Sequence, residues 1–427
     1  MHFPESATRP GRSVAYRVAV TVLLASLSGV ANADALSFQE ALALALRETP
    51  VLRANTAQVD AATQAAIPAG ALPDPKLALG VDNLPIDGPD RYSLSRDFMT
   101  MRRIGVMQEF PNRAKRKARV AAAQGRVAVA EAQTRVTRLT VLREVAVAWI
   151  ARGSIERQLT RSDALLAENR LFEAAVRAQL AAGKAAASEV VAPRQEAALI
   201  EERQDVLRAQ REQALAQLRR WIGPAAQAPL TGVVPDWPIE RDGLLRRLRQ
   251  HPELAAFDPK ARVLEAERAE AQAAKKPDWA LELAYQQRGP QFGDMVSLQV
   301  SFDLPLFAGS RQNPQIAAKL AERTALVAER EAMLHEHAAA LEADFAEYQR
   351  LVNAVQRQRE VLLPLAEERV TLALAGWRGG KGSLTELIAA RRERIDAELK
   401  AIALEGERQQ MAARLHYAYG DIAGEQG

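Results

Sequence analysis

The fold is decided by residues 296–304 (VSLQVSFDL), in which apolar and polar side chains alternate strictly. Successive side chains of a β-strand point to opposite faces of a sheet, so this stretch predicts a strand with one apolar and one polar face. Residues 77–82 (LALGVD) and 279–286 (WALELAYQ) have the same period of two, and residues 105–110 (GVMQEF) align with the strand 299–304 in the other half of the chain. The sequence therefore predicts four two-faced strands.

The chain contains one structural unit twice. Residues 105–111 (GVMQEFP) recur as 299–305 (QVSFDLP), residues 49–52 (TPVL) recur as 251–254 (HPEL), and Gly183-Lys184 recurs as Gly380-Lys381. Recurrence in the same order and at nearly constant spacing indicates an internal duplication. We predict a first repeat over residues 34–223, a linker or equatorial segment over 224–242, and a second repeat over 243–427.

Residues 1–33 have the pattern of a signal peptide. Three arginines precede an apolar run that ends in Ala31-Asn32-Ala33, so cleavage is expected between Ala33 and Asp34. A membrane anchor is the alternative, but the run is short and is broken by small polar residues. The chain has no cysteine, which excludes disulfides and a lipidated N-terminal cysteine. Loss of this segment brings the net charge of +4 close to balance, so the charge does not indicate nucleic-acid binding.

Between these strands the sequence predicts very long helices. From Pro111 to Ala182 there is no proline and only two isolated glycines, which predicts one helix of about 70 residues and about 100 Å. The shorter helical segments before the first strand and over 187–222 together match its length, as two half-length helices stacked end to end beside it would. Glycine-containing turns are predicted at 181–186 and 376–382. Pro193 and Pro364, near these turns, are expected to kink their helices.

Two environments are compatible with the strands. In a water-soluble sheet the apolar face would pack on helices. Strands of about nine residues with aromatic residues at their ends are instead typical of a membrane β-barrel, and no mature segment is apolar enough to form a spanning helix. Four strands cannot close a barrel, and open strand edges are not tolerated in lipid. A membrane location would therefore require several copies of the chain.

Taken together, these features resemble the TolC family of outer-membrane efflux proteins. The resemblance rests on the opening segment 36–42 (LSFQEAL), the proline after the first short helix, the two strand pairs, the duplicated turns, and the closing pairs Leu218/Gly223 and Leu415/Gly420. It implies a mainly α-helical protein with a long periplasmic tunnel and four strands per protomer, which form a 12-stranded barrel in a homotrimer. It also implies an outer-membrane location and three kinds of partner: a periplasmic adaptor, an inner-membrane pump and outer-membrane lipid. No cofactor and no nucleic acid is implied.

Two groups of functional residues follow from this resemblance. The turn residues expected to meet the adaptor are Gly183, Lys184, Ser188, Glu189 and Val190 in the first copy and Gly380, Lys381, Thr385, Glu386 and Leu387 in the second. Glycine suits such turns because it tolerates a positive φ. The charged residues expected to close the periplasmic end as a gate are Arg194, Arg391, Arg392, Arg394 and Asp396. Solvent-exposed turn residues without a partner are the alternative for Lys184 and Lys381.

The cargo is suggested by residues 102–113 (RRIGVMQEFPNR), which resemble the heavy-metal branch of the family, the CzcC and CusC type. Pumps of the resistance-nodulation-division class serve that branch. On the polar strand faces Glu109, Glu282 and Asp303 would make the lumen locally acidic and favour cations, although Arg103 shares that side. A duct for drugs, organic compounds or secreted polypeptides is the alternative within transport.

No metal site is predicted. Met99, Met101 and Met107 are weak candidates, because thioethers are soft ligands but methionine more often fills space. His335 and His337 are two positions apart on a helix, so they point to different sides and cannot hold one ion without help from elsewhere. The chain has none of the usual catalytic motifs, so we predict that it is not an enzyme. A soluble periplasmic coiled-coil adaptor or structural protein is the alternative of another class.

Overall fold

The computed structural model describes residues 35–184 and 186–419. The predicted signal peptide and Gly420 lie outside the described residues. The first repeat contains β1 (Leu36–Ser37), α1 (Phe38–Glu48), α2 (Pro50–Ala66), β2 (Lys76–Asp82), β3 (Met101–Phe110), α3 (Arg113–Ala181) and α4 (Val191–Ile222). The rest of the chain contains β4 (Leu230–Thr231), α5 (Arg241–Leu248), α6 (Pro252–Ala255), α7 (Phe257–Ala273), β5 (Trp279–Gln287), β6 (Met295–Phe302), α8 (Gln312–Arg357), α9 (Leu363–Arg378) and α10 (Leu384–Tyr419).

The helix lengths agree with the sequence prediction. Helix α3 is 69 residues long, which corresponds to about 100 Å. Both α2 and α4 pack against it, as two shorter helices beside one long helix should. Within residues 35–184 and 186–419, no helix is both long and apolar enough to cross a membrane.

The two prolines near the turns behave differently. Helices α8 and α9 are joined by one π-helical turn, Gln358–Leu362, just before Pro364. Proline lacks the N–H that would bond to the carbonyl of the preceding turn, which explains this irregularity. The kink predicted at Pro193 is wrong. Pro193 lies in the first turn of α4, where a missing N–H breaks no intrahelical bond.

The largest core lies near the middle of α3. There α1 and the ends of α4 and α10 meet the segment after α4. The ring of Phe38 contacts Trp149 edge-on with centroids 5.4 Å apart, and its centroid lies 5.8 Å from that of Trp237. Helix α1 begins with a capping box: the Ser37 hydroxyl accepts the Glu40 N–H at 3.2 Å, and the Glu40 carboxylate accepts the Ser37 N–H. The parallel pair of β1 and β4 fastens both segments to this core.

A four-stranded antiparallel sheet in the order β2-β3-β5-β6 unites the two repeats. Its central pair, β3 and β5, comes from different repeats and places Met107 opposite Glu282. Strand β6 ends at Phe302, and the Asp303 N–H then donates to the Asp278 carbonyl at 2.9 Å. At the helical end of the sheet, Asn112 caps α3 and its N–H donates to the Asp278 carboxylate at 2.7 Å.

Candidate functional site

The four-stranded sheet has one apolar face, and that face is exposed. Strand register places every second residue on it, including Leu79 and Leu298, which are 71% and 68% exposed. The other exposed large apolar residues of this face are Leu77, Val81, Ile104, Val106, Trp279, Leu283, Tyr285, Val296, Val300 and Phe302. The arrangement expected of a water-soluble sheet, with this face packed on helices, is therefore not found in the described chain.

The opposite face consists mainly of small and polar side chains, several of them charged, with three methionines among them. Arg103 forms an ion pair with Glu282 on the neighbouring strand, and Lys76 forms one with Glu109. Asp303 follows the end of β6 and is exposed. Two of the three carboxylates expected to make the lumen acidic are thus neutralised by basic residues on the same face. Of the three carboxylates named in the prediction of an acidic lumen, Asp303 alone forms no ion pair within residues 35–184 and 186–419.

Both outer strands of the sheet have a free edge. Strand β2 pairs only with β3, and β6 pairs only with β5, within the described chain. At the helical end of the sheet, the rings of Phe110 and Trp279 stack 4.1 Å apart with an interplanar angle of 13°. Trp279 is exposed and Phe110 is half-buried. Aromatic rings beside an exposed apolar face are typical of the boundary between lipid and water.

The two predicted turns adopt the same backbone geometry. Gly183 and Gly380 have φ values of 69° and 70°. In the first turn, the Lys184 N–H donates to the Gln179 carbonyl at 2.9 Å; in the second, the Lys381 N–H donates to the Gly376 carbonyl at 2.9 Å. This is the Schellman motif, which ends a helix by placing glycine in the left-handed region. The predicted role of glycine in the turns is therefore explained by backbone geometry.

The two turns differ in how the next helix begins. In the second copy, the Ser383 hydroxyl accepts the Glu386 N–H and the Glu386 carboxylate accepts the Ser383 N–H, both at 3.2 Å. The first copy has Ala186 at the matching position, and a 3₁₀ turn over Ala187–Val190 precedes α4 instead. A capping box needs a hydroxyl side chain at the N-cap, so alanine cannot provide one.

The predicted adaptor-contact residues divide into exposed and packed positions. Lys184, Ser188, Lys381, Thr385 and Glu386 are exposed. Glu189 is half-buried. Val190 and Leu387 instead pack into a small core with Val176 between the helices, and Leu387 is 1% exposed. These two apolar residues stabilise the turn from inside and are not available to a partner in this arrangement.

The predicted gate residues mostly pair with other helices of the same chain. Arg391 lies 3.4 Å from the buried Glu196 of α4, and its guanidinium lies 4.4 Å from the centre of the Phe172 ring. Burial raises the pKa of Glu196, and the nearby Arg391 only partly opposes it. One oxygen of Glu196 and one terminal nitrogen of Arg391 are buried without a hydrogen-bond partner. The pair is therefore incompletely satisfied.

Asp396 forms an ion pair with Arg203 of α4, and Arg394 pairs with Glu168 of α3. Arg194 and Arg392 are exposed and form no ion pair within the described residues. The structure thus brings together three of the five gate residues with partners that the sequence did not identify. It leaves the other two free to act outside the protomer.

The three methionines do not converge. Met99 lies before β3, whereas Met101 and Met107 lie six residues apart on one face of that strand. At about 3.4 Å per residue, the last two are about 20 Å apart, too far to share an ion.

A different group of potential ligands does converge. One ligand atom each from His251, Glu253 and His337 lie within 4.8 Å of one another. His335 does not take part, and its side chain is 77% exposed. Burial, followed by the proximity of His337, lowers the pKa of His251 to about 4. His337 needs ligands from elsewhere, as its spacing from His335 predicted, but no sequence pattern points to Glu253, which lies 84 positions away.

Comparisons with known proteins agree with this geometry. Residues 41–224 match the family model described as "Outer membrane efflux protein". The fold is similar to that of a membrane protein from Pseudomonas aeruginosa, with a TM-score of 0.75, 19% identity and coverage of 90% of each chain. It is also similar to the outer membrane protein VceC from Vibrio cholerae, with a TM-score of 0.73, 19% identity and coverage of 90% of this chain and 96% of that one.

A third similar structure is that of CusC, a protein described as changing conformation on folding and transmembrane channel formation. Its TM-score is 0.75 at 17% identity, with coverage of 90% of this chain and 92% of that one. No curated protein matches the chain in sequence. At these identities the structures establish the fold alone, and they do not separate one cargo from another.

Proposed function

We propose that this chain, which matches the outer membrane efflux family over residues 41–224 and has the fold of its channels, is one of three identical subunits of an efflux duct. The observation that carries this proposal is the exposed apolar face of the sheet, bounded by two unpaired edges. An unpaired backbone group in lipid costs several kcal/mol, so the edges need partners.

Three copies would supply these partners from one another. The β6 edge of one copy would pair with the β2 edge of the next, which gives a closed cylinder of 12 strands with its apolar face toward lipid. The polar faces would line the lumen, and the long helices would continue it as a tunnel. Reconstitution in a planar bilayer tests this: stepwise conductance from the purified trimer is expected, and a protein that stays in the membrane-free fraction without detergent contradicts it.

Delivery to the outer membrane would follow cleavage between Ala33 and Asp34. N-terminal sequencing of the mature protein should begin at Asp34. An intact N-terminus would favour the anchor instead.

The exposed turns are the proposed contact with a periplasmic adaptor. In both turns a lysine directly follows a glycine of positive φ. The shared Schellman motif places the backbone of the two lysines in the same position relative to the end of the preceding helix. Charge reversal of Lys184 and Lys381 together should reduce co-purification of the adaptor and leave trimer formation intact. Unchanged recovery of the adaptor would favour the alternative that these are solvated turn residues.

The charged residues above the turns are the proposed gate. The pairs of Arg391 with Glu196 and Asp396 with Arg203 hold α10 against α4 within each protomer. Neutralising Arg391 and Asp396 should loosen this packing and raise the conductance of the isolated trimer. Lys400 of the same helix is exposed and serves as a control, so Lys400→Gln should leave conductance unchanged. Equal conductance in all three proteins would reject the gate.

For the cargo we propose heavy-metal cations, delivered by a pump of the resistance-nodulation-division class. The support is the resemblance of residues 102–113 to the heavy-metal branch. The paired charges of the lumen add no support, since they leave little net negative field. Deletion of the gene should lower tolerance to metals such as zinc, cobalt, copper or silver. Loss of tolerance to organic compounds with unchanged metal tolerance would transfer the proposal to a drug duct.

A further inference from the structure

Three metal-ligating side chains from two distant parts of the chain meet beside the middle of α8. His251 precedes α6, Glu253 lies in its first turn, and His337 belongs to α8. The Nε2 atom of His337 lies 3.0 Å from a carboxylate oxygen of Glu253. The rings of the two histidines lie 4.3 Å apart between centroids.

The surroundings hold these side chains in place. The Nδ1 atom of His251 accepts the Glu253 N–H at 3.3 Å, a long hydrogen bond that a metal bond at that nitrogen would replace at little cost. The ring of Tyr419 packs against both imidazoles, and its hydroxyl donates a hydrogen bond to the His337 carbonyl at 3.4 Å. His251 is 9% exposed. The Glu253 side chain is 38% exposed, which leaves a path for a hydrated ion.

The donor set matches a specific class of ion. Two imidazoles and one carboxylate are a common three-ligand set for Zn²⁺, with water in the fourth position. In such a tetrahedron the ligand atoms are about 3.3 Å apart, from metal bonds of about 2.0–2.1 Å. The present atoms lie within 4.8 Å of one another, so small side-chain rotations bring them to that spacing. The positive charge of Arg143, near His251, would disfavour a bound cation, and the negative charge of the Glu253 carboxylate opposes this effect.

We propose that His251, Glu253 and His337 bind one divalent transition-metal cation per protomer, with Zn²⁺ as the best match. The ion fastens α6, at the start of the second repeat, to α8. None of these three residues belongs to the sheet or to the turns on which the proposed duct and adaptor contact rest. Metal binding can therefore be measured without any channel activity.

Binding of Zn²⁺ to the full mature protein in detergent tests the proposal. The protein is prepared without a polyhistidine tag, stripped with chelator, and titrated with Zn²⁺ by calorimetry. Co²⁺ serves as a second probe, since its visible absorption reports tetrahedral coordination. We expect one Zn²⁺ per protomer, an affinity reduced at least tenfold in His337→Gln, and unchanged affinity in His335→Gln, a matched control two residues away on the same helix.

Glu253→Gln is the second variant, because its partly exposed side chain can change without disturbing the fold. It should also weaken binding at least tenfold while the protein elutes as the same oligomer. Zn²⁺ should raise the unfolding temperature of the unsubstituted protein and of His335→Gln, but of neither ligand variant. Absence of one-to-one binding, or equal binding by the unsubstituted protein and both ligand variants, overturns the proposal.

Discussion

Replacing Leu298 by arginine separates a lipid-facing sheet from a water-facing one. Leu298 lies in the middle of β6, opposite Leu283 on β5, and is 68% exposed on the apolar face. A position this exposed loses little packing within its own protomer when it is substituted. The effect of the new charge is therefore set mainly by the medium outside the sheet.

The two media give different magnitudes. In lipid, an arginine at the centre of a barrel strand costs about 2–4 kcal/mol, which corresponds to about a 30- to 700-fold smaller folding constant per subunit. In water, a substitution at such an exposed position stays within about 0.5 kcal/mol. Gln299→Arg is the matched control, because the neighbouring residue points to the polar face opposite Glu282.

The difference in the free energy of unfolding is measured by guanidinium unfolding of protein reconstituted in lipid vesicles. The folded trimer is followed in gel electrophoresis as a band that changes its mobility when the sample is heated. We expect Leu298→Arg to be destabilised by about 2 kcal/mol or more and Gln299→Arg to remain within about 0.5 kcal/mol of the unsubstituted protein. Equal stability of both variants, or a greater loss in Gln299→Arg, would refute the assignment of the two faces.

Three further predictions concern the helical part. Gly380→Ala should lower the free energy of unfolding by about 1–2 kcal/mol, because alanine is strained at a φ of 70°. Gly376→Ala should instead raise the free energy of unfolding by about 0.4–1 kcal/mol, because this glycine lies inside a helix and the new methyl would lie 3.7 Å from the nearest atom. Chemical denaturation measures both, and a change of the same sign in the two variants would contradict this reasoning. Gly406→Ala should cost about 1–3 kcal/mol, because its methyl would lie 2.2 Å from the Ser154 hydroxyl oxygen; an unchanged unfolding temperature would show that the helices are not in close contact. Burial raises the pKa of Glu196, so the folded state binds the proton of this carboxyl more tightly than the unfolded state does. The resulting stability is fully present below the carboxyl's ordinary pKa and is lost as the pH rises through the raised pKa, so Glu196→Gln should become more stable, relative to the unsubstituted protein, between about pH 4 and pH 7; a constant difference in thermal unfolding would count against this.

The sequence predicts the local structure well because that structure follows from short-range rules. The period of two in residues 296–304 predicted which side of β6 is apolar, and the absence of proline after Pro111 predicted the length of α3. The positive φ of Gly183 and Gly380 follows from a helix that must end in a tight turn.

Long-range partners could not be obtained in this way. Alternation of apolar and polar residues assigns each strand residue to a face but does not set the register between strands. The ion pair of Lys76 with Glu109 depends on that register, which places Lys76 opposite Met107, two residues from Glu109. The same limit hid Glu196 as the partner of Arg391. A helix face does not specify what another helix will place against it.

The free edges of the sheet provide the most direct test of the whole account. The chain has no cysteine, so Ala78→Cys on β2 and Ser297→Cys on β6 can be combined without a competing thiol. The two residues lie on the same line of strand pairing and the same polar face, but at opposite edges of the sheet.

A flexible bis-maleimide added to membranes that contain both single variants, co-expressed, should then give covalent dimers in denaturing gels, while either single variant alone stays monomeric. The absence of dimers from the co-expressed variants would show that the edges do not meet between copies, and the proposed trimeric duct would be wrong.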